Sequence, residues 1–171
     1  MRQEVVYLGL GSNLGNKVDN CRRALERISA TNNNHIRVVS SLYKTEPVGY
    51  RDQDWFINCV AEVITALPPL LLLRLLQGIE KRMGRITPFK MGPRIIDLDM
   101  LFYGAMVIEE TDLVIPHPHL HERGFVLVPL AEIAPDLPHP VLNKTVNELL
   151  KNIGKEGVEL YAAPPDREVS H

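Results

Sequence analysis

The chain has 171 residues and a formal net charge of -2, with 45% hydrophobic and 23% charged residues. That balance is of an ordinary soluble globular protein, long enough for one domain around a sizeable core. A near-neutral charge leaves no global basic field of the kind that gathers nucleic acid, although a local basic site for a phosphorylated small molecule remains open.

The first residues, MRQEVVYLGLGSN, lack the basic stretch and long apolar run of a signal peptide. Residues 4 to 10 (EVVYLGL) are β-rich and end in a Gly-Ser-Asn turn, so we expect a strand. From about 15 to 30, Val18, Cys21, Leu25 and Ile28 recur at intervals of three and four, which predicts an amphipathic helix. Residues 36 to 44 (IRVVSSLYK) read as one strand, and TEPVGYRDQD as a turn-rich loop. Residues 55 to 65 alternate, with Phe56, Asn58, Val60 and Glu62 on one face and Trp55, Ile57, Cys59 and Ala61 on the other. Pro68 and Pro69 suit the first turn of a helix running to about 83. Its run LPPLLLLRLLQGI is broken by Arg74 and is too short to span a bilayer.

GRITPFKMGPR then predicts a mobile loop, and residues 95 to 102 the next strand. A turn at Gly104 and a short strand near 106 to 108 follow, then a Pro/His loop, IPHPHLHERG. FVLVPLAEIAPD reads as a short helix stopped by Pro135, and 145 to 152 as another. We expect one catalytic domain over 1–162 and a loose tail over 163–171. Cys21 and Cys59 read as buried thiols, which fits a reducing cytoplasm. The order strand, helix, strand, strand, helix, strand predicts an α+β, ferredoxin-like βαββαβ core. Its antiparallel sheet would carry helices on one face, with extra short helices at the C-terminal end.

The stretch GPRIIDLDMLFYG departs from a packing pattern. Asp97 and Asp99 lie two apart in a strand, so they share a face, while Ile96, Leu98, Met100 and Phe102 point the other way into a core. Two adjacent carboxylates repel unless a cation sits between them, and oxygen-only ligands favour Mg²⁺. The competing reading is a solvated pair salt-bridged to Arg94. Arg85, Lys90 and Arg94 on and beside the neighbouring loop suit a polyphosphate. GLGSNLGNK has neither the Walker A spacing nor G-x-G-x-x-G, so it reads as a tight turn rather than a phosphate cradle. His117, His119 and His121 alternate as zinc ligands in an extended segment could, but one histidine on a phosphate, with Arg123 beside it, is the better reading. Gln77 and Glu80 share one helix face.

On YLGLGSNLG, TEPVGYRDQDWFIN, GPRIIDLDMLFYG and IPHPHLHERGFVLVPLAEIAP, in that order over about residues 5 to 137, the chain resembles the 6-hydroxymethyl-7,8-dihydropterin pyrophosphokinases of folate biosynthesis. The resemblance implies transfer of the intact β,γ-pyrophosphoryl group from ATP to the pterin hydroxymethyl oxygen, with release of AMP. It implies two Mg²⁺ ions on Asp97 and Asp99, with Arg85 and Arg94 also catalytic. ATP would meet Gln77, Glu80, Arg85, Arg94, His117 and Arg123. The pterin would stack between Phe56 and Phe125, with Asn58 on its amide edge and Thr45, the backbone around Val48, and Asp97 completing the pocket. Thr87 and Met91 stand where bacterial members often carry an arginine and a tryptophan, and Lys90 and Phe89 are candidates to replace them. We expect the loops TEPVGYRDQD (45–54) and GRITPFKMGPR (84–94) to be ordered only when nucleotide is bound.

Two other readings follow from the residues. A ferredoxin-like nucleotidyltransferase would share the paired aspartates but needs a basic stripe for nucleic acid. A non-catalytic ligand-binding regulatory module would not need both aspartates. We favour a monomer acting on ATP and the pterin, with no nucleic-acid or membrane partner. From the length we expect no fused dihydroneopterin aldolase or dihydropteroate synthase domain.

Overall fold

The computed structural model describes residues 2–47, 52–84 and 93–165. In chain order these form β1 (Glu4–Ser12), α1 (Lys17–Ser29), β2 (Asn34–Val39), β3 (Leu42–Thr45), β4 (Phe56–Thr65), α2 (Pro69–Arg82) and β5 (Asp97–Tyr103). The short strands β6 (Ile108–Glu109) and β7 (Val114–Ile115) come next, then a 3-10 turn at Leu120–Glu122. α3 (Gly124–Ile133), α4 (Val146–Ile153) and β8 (Val158–Ala162) complete them. Among the described residues no helix is long and apolar enough to cross a membrane.

The main sheet is antiparallel in the order β5-β1-β4-β3-β8, with β2 also paired to β4. This is the expected ferredoxin-like order, with its second strand in two pieces. The predicted strand over 36–44 is interrupted at Ser40. There the Ser40 hydroxyl takes a ladder position, accepting Val60 N–H at 2.9 Å, and the backbone resumes as β3. β8 was not anticipated; its sequence, VELYA, lies just before the predicted loose tail and pairs with β3.

Helices cover both faces. On one, Cys21, Ala24, Leu25 and Ile28 of α1 and Leu72, Leu76 and Ile79 of α2 pack on Leu8, Leu10, Ile57 and Ala61. The two cysteines are buried there as thiols. Asn16 caps α1 by accepting Asp19 N–H at 3.1 Å, which satisfies one donor left free by the first turn. On the other face, Val126, Leu127 and Leu130 of α3 and Val146, Leu149 and Leu150 of α4 pack on Tyr7, Val60, Leu101 and Phe102. Thr145 and Glu148 form a reciprocal capping box at α4.

Phe102 corrects one expectation. The β1–β5 register shifts between Tyr7 and Leu8, so a bulge at Leu101 reverses the alternation. Leu98 and Met100 face α1 and α2, as predicted, whereas Phe102 packs edge-on to Tyr7 and His139 in the opposite layer. Asp97 and Asp99 precede the bulge and keep their shared face.

α3 is tied to the sheet edge by Glu132. Its carboxylate accepts Ser41 N–H at 2.9 Å, Ser41 Oγ–H at 3.1 Å and the Tyr43 hydroxyl. Burial and this carboxylate push the Tyr43 phenol well above its usual range. Because Glu132 is exposed, we expect Glu132→Ala to cost only about 1 kcal/mol, or about 2–4 °C of melting temperature. Calorimetric melts that coincide with the wild type would show that the tie contributes nothing.

Candidate active site

A cavity of about 800 Å³ opens where β1, β4 and β5 meet the segment leading into α3. It is lined by an aromatic and amide set, Thr45, Phe56, Asn58 and Phe125, and by a charged and polar set, Gln77, Glu80, Arg94, Asp97, Asp99, His117 and Arg123; Gly11 of β1 lies between Asn58 and Asp97 in the register. Folding thus brings these sequence-predicted residues to one cavity. Arg85 and Val48 lie outside the described residues, as do Thr87, Phe89, Lys90 and Met91 and the loop expectations that rest on them.

The acidic side of the cavity is built on β5, an edge strand. Its outer edge is capped from two sides. Leu98 N–H donates to Glu80 Oε2 at 2.9 Å, and Leu101 C=O accepts His117 N–H at 3.0 Å. Glu80 is buried, so its carboxylate aligns the strand bearing both aspartates. Burial lifts the Asp99 carboxyl to about 7, and the Asp97 and Glu80 charges lift it too, against Arg123 and Arg94, which lower it. Asp97 makes a 2.9 Å ion pair with Arg94 Nη1. The salt bridge raised as a competing reading is therefore present, inside the cavity rather than on a solvated face. Arg94 Nε–H is buried with no hydrogen-bond acceptor among the described residues.

His117 Nδ1 accepts His119 N–H at 3.2 Å, which leaves Nε2 to carry the ring proton. Burial, Arg123 and His119 lower its pKa to about 4, against an opposing pull from Asp97, so the ring is neutral near pH 7. The three alternating histidines do not gather: among the described residues no group of three or more His, Cys, Asp or Glu could hold a metal. Arg123 lies over the Phe125 ring at 5.5 Å and so joins the two sets.

On the aromatic side, Phe56 and Phe125 are partly exposed to the cavity rather than sealed in the core. Asn58 is held from both sides of its amide. Its Oδ1 accepts the Thr45 hydroxyl, and its Nδ2 donates to Leu10 C=O at 3.3 Å.

Residues 7–135 match the family model described as 7,8-dihydro-6-hydroxymethylpterin-pyrophosphokinase. The chain belongs to this pyrophosphokinase family.

It is 43% identical over 153 residues to a 2-amino-4-hydroxy-6-hydroxymethyldihydropteridine pyrophosphokinase of Methylorubrum extorquens, covering 90% of this chain and 96% of that protein. It is 42% identical over 161 residues to the folic acid synthesis protein FOL1 of Dictyostelium discoideum, covering 94% of this chain and 24% of that one. The chain thus spans about a quarter of the length of the first curated relatives it matches. Its fold is also that of part of a solved Plasmodium falciparum HPPK-DHPS, crystallised with pterin and p-hydroxybenzoate. The TM-score is 0.70 at 18% identity, over 89% of this chain and 42% of that one.

Two residues that line the cavity, Gly11 and Glu46, and one buried behind Arg94, Asn13, were not singled out from sequence. Asn13, 1% exposed, joins three segments. Its Oδ1 accepts Arg94 N–H at 2.7 Å, its own N–H donates to Arg94 C=O at 3.0 Å, and its Nδ2 donates to Gln53 Oε1 at 2.8 Å and Asp54 C=O at 3.2 Å. Gly11 leaves the space that Asn58 occupies, and Glu46 lines the rim. The Gly-Ser-Asn signal drew attention to the stretch holding Asn13 and Gly11, but Gly11 and Ser12 continue β1 rather than turn, and the partners of both residues lie 40 or more positions away along the chain.

Proposed function

We propose that this chain transfers the β,γ-pyrophosphoryl group of ATP to the hydroxymethyl oxygen of 6-hydroxymethyl-7,8-dihydropterin, releasing AMP, as a step of folate biosynthesis. One observation carries the reading. A pair of aromatic rings with an oriented amide, and a carboxylate pair with cationic and neutral donors, line one cavity side by side. A flat heterocycle needs the first set and a triphosphate needs the second.

In this reading the pterin lies between Phe56 and Phe125 with its amide edge on Asn58. The hydroxymethyl oxygen then points toward Asp97. Arg94 supplies a buried Nε–H that a phosphate oxygen would satisfy, Arg123 adds charge, and His117 donates from Nε2 without adding any. Gln77 and Glu80 border the nucleotide, Glu80 acting also through Leu98. The oxygen attacks the β-phosphorus, the bond from that phosphorus to the bridging oxygen of the α-phosphate breaks, and the hydroxymethyl proton passes to solvent. Alignment and charge stabilisation supply the acceleration.

The donor set fits Mg²⁺. Asp97 and Asp99 are oxygen ligands on one strand face, mutually repelling, and without a third clustered ligand among the described residues. Phosphate oxygens and water would complete the shells. When bound, two such ions neutralise the triphosphate and favour loss of the hydroxymethyl proton.

Incubation with ATP, Mg²⁺ and 6-hydroxymethyl-7,8-dihydropterin is expected to give AMP and the pterin diphosphate by chromatography. ADP or free pyrophosphate as the product, or no turnover, would sink the proposal.

A further inference from the structure

Phe56 stands on the first residue of β4, directly after residues 52–55, which have no regular structure. Strand ends fray, so a platform there needs an anchor just upstream. The anchor is Trp55. It is the chain's one tryptophan, and it packs partly buried against the core that also holds α1. Its neighbours come from three separate elements. Lys17 Nζ, at the start of α1, lies 3.6 Å from the ring centroid and reaches Asp54 Oδ2 at 2.6 Å. Lys44 Nζ of β3 lies 4.8 Å from the ring, and Tyr161 of β8 tilts against it at 5.7 Å.

Lys17 is the central contact because it grips two consecutive residues at once. Its side chain is only 11% exposed, so the ammonium is substantially withdrawn from water. Cation–π and ionic attractions both strengthen under such partial desolvation. The hydrogen bond from Lys17 holds the Asp54 carboxyl below its ordinary range. Trp55 and Phe56 are neighbours in an extended segment, so their rings lie on opposite faces. Fixing the indole on the α1 side therefore fixes the Phe56 ring on the cavity side.

We infer that Lys17 is a positioning residue for the aromatic platform, acting through Asp54 and Trp55 to hold Phe56 against the flat heterocyclic substrate. This rests on the pterin reading above. It predicts a much smaller effect on the nucleotide residues of β5 and the segment before α3, the one link to them being Asn13, which joins the Asp54 carbonyl to Arg94.

The test compares wild type, Lys17→Ala and Lys17→Arg in calorimetric titrations with 6-hydroxymethylpterin and, separately, with a non-hydrolysable ATP analogue plus Mg²⁺. Trp55 emission is recorded for each. Lys17→Ala is expected to weaken pterin binding about 5- to 10-fold and to shift the emission, with the nucleotide affinity within about twofold. Lys17→Arg, which keeps the cation, restores pterin affinity to within about twofold. Unchanged pterin affinity in Lys17→Ala despite shifted emission overturns the inference, as does equal weakening of both ligands, which marks a general structural effect. A wild type that binds nucleotide but no pterin would instead overturn the pterin reading and the inference with it.

Discussion

Replacing Asp99 by asparagine is expected to abolish turnover by about a thousandfold or more, yet to raise the melting temperature of the metal-free protein. Both effects have one cause. Asp99 is a carboxylate brought out of water beside Asp97 and near Glu80, and only partly offset by Arg123 and Arg94. In the proposed reading that arrangement would serve a bound cation; without one it is costly. Burial and the acidic neighbours lift its pKa to about 7, above the value it has in an unfolded chain. Between the ordinary carboxylate range near 4 and about 7, the folded state binds more protons than the unfolded state. Metal-free stability therefore falls as pH rises through that window. The amide carries no charge and escapes this fall. The variant's advantage should be absent near pH 4 and complete above pH 7, at about 1–2 kcal/mol after solvent screening, or about 3–6 °C. Melts in chelator at pH 4, 6 and 8 read it directly. Parallel pH profiles for the two proteins would show that Asp99 carries no such penalty. With Mg²⁺ and an ATP analogue present the order should reverse, because ligand stabilises only the protein that binds it.

Gly11→Ala is expected to damage the aromatic side of the cavity. A Cβ on Gly11 would stand 2.6 Å from Asn58 Nδ2 and 3.6 Å from Phe56 Cδ1. The first distance is not tolerated, so the amide must move. Asn58 is 8% exposed and held by the Thr45 hydroxyl and the Leu10 carbonyl, so moving it breaks two buried hydrogen bonds. Gly11 is not among the glycines of positive φ, so the demand here is for space rather than for an unusual backbone. We expect pterin affinity to fall by at least about tenfold, at a stability cost of about 1–3 kcal/mol. Nucleotide affinity should fall less than pterin affinity: Gly11 is the register partner of Asp97 on β5, but the atoms nearest the new Cβ belong to Asn58 and Phe56. Calorimetric titration of each ligand separates these outcomes, and an unchanged pterin constant would remove Gly11 from the account.

The cavity was legible in parts. The stripe Cys21, Leu25, Ile28 was enough to place α1, and the period-2 spacing of Asp97 and Asp99 was enough to put both on one face. Where the reading failed, a single local device intervened. The Ser40 hydroxyl replaced a backbone ladder group and split one strand into two. The bulge at Leu101 turned Phe102 into the opposite layer. β8 escaped notice because five half-exposed residues at an edge have no strong alternation. Asn13, Gly11 and Lys17 look like ordinary turn and helix-start residues until their partners are beside them.

Period, capping and turn chemistry are properties of neighbours along the chain, so the sequence by itself determined the element order, the carboxylate pair and the family signatures. Which groups then meet was decided only by the tertiary structure. Glu80 reaches Leu98, Asn13 reaches Arg94 and Lys17 reaches Trp55 across 18 to 81 positions of chain. Such contacts depend on strand register and helix docking, which no local pattern encodes, and they turn a list of candidate residues into a site with two adjoining sets of groups.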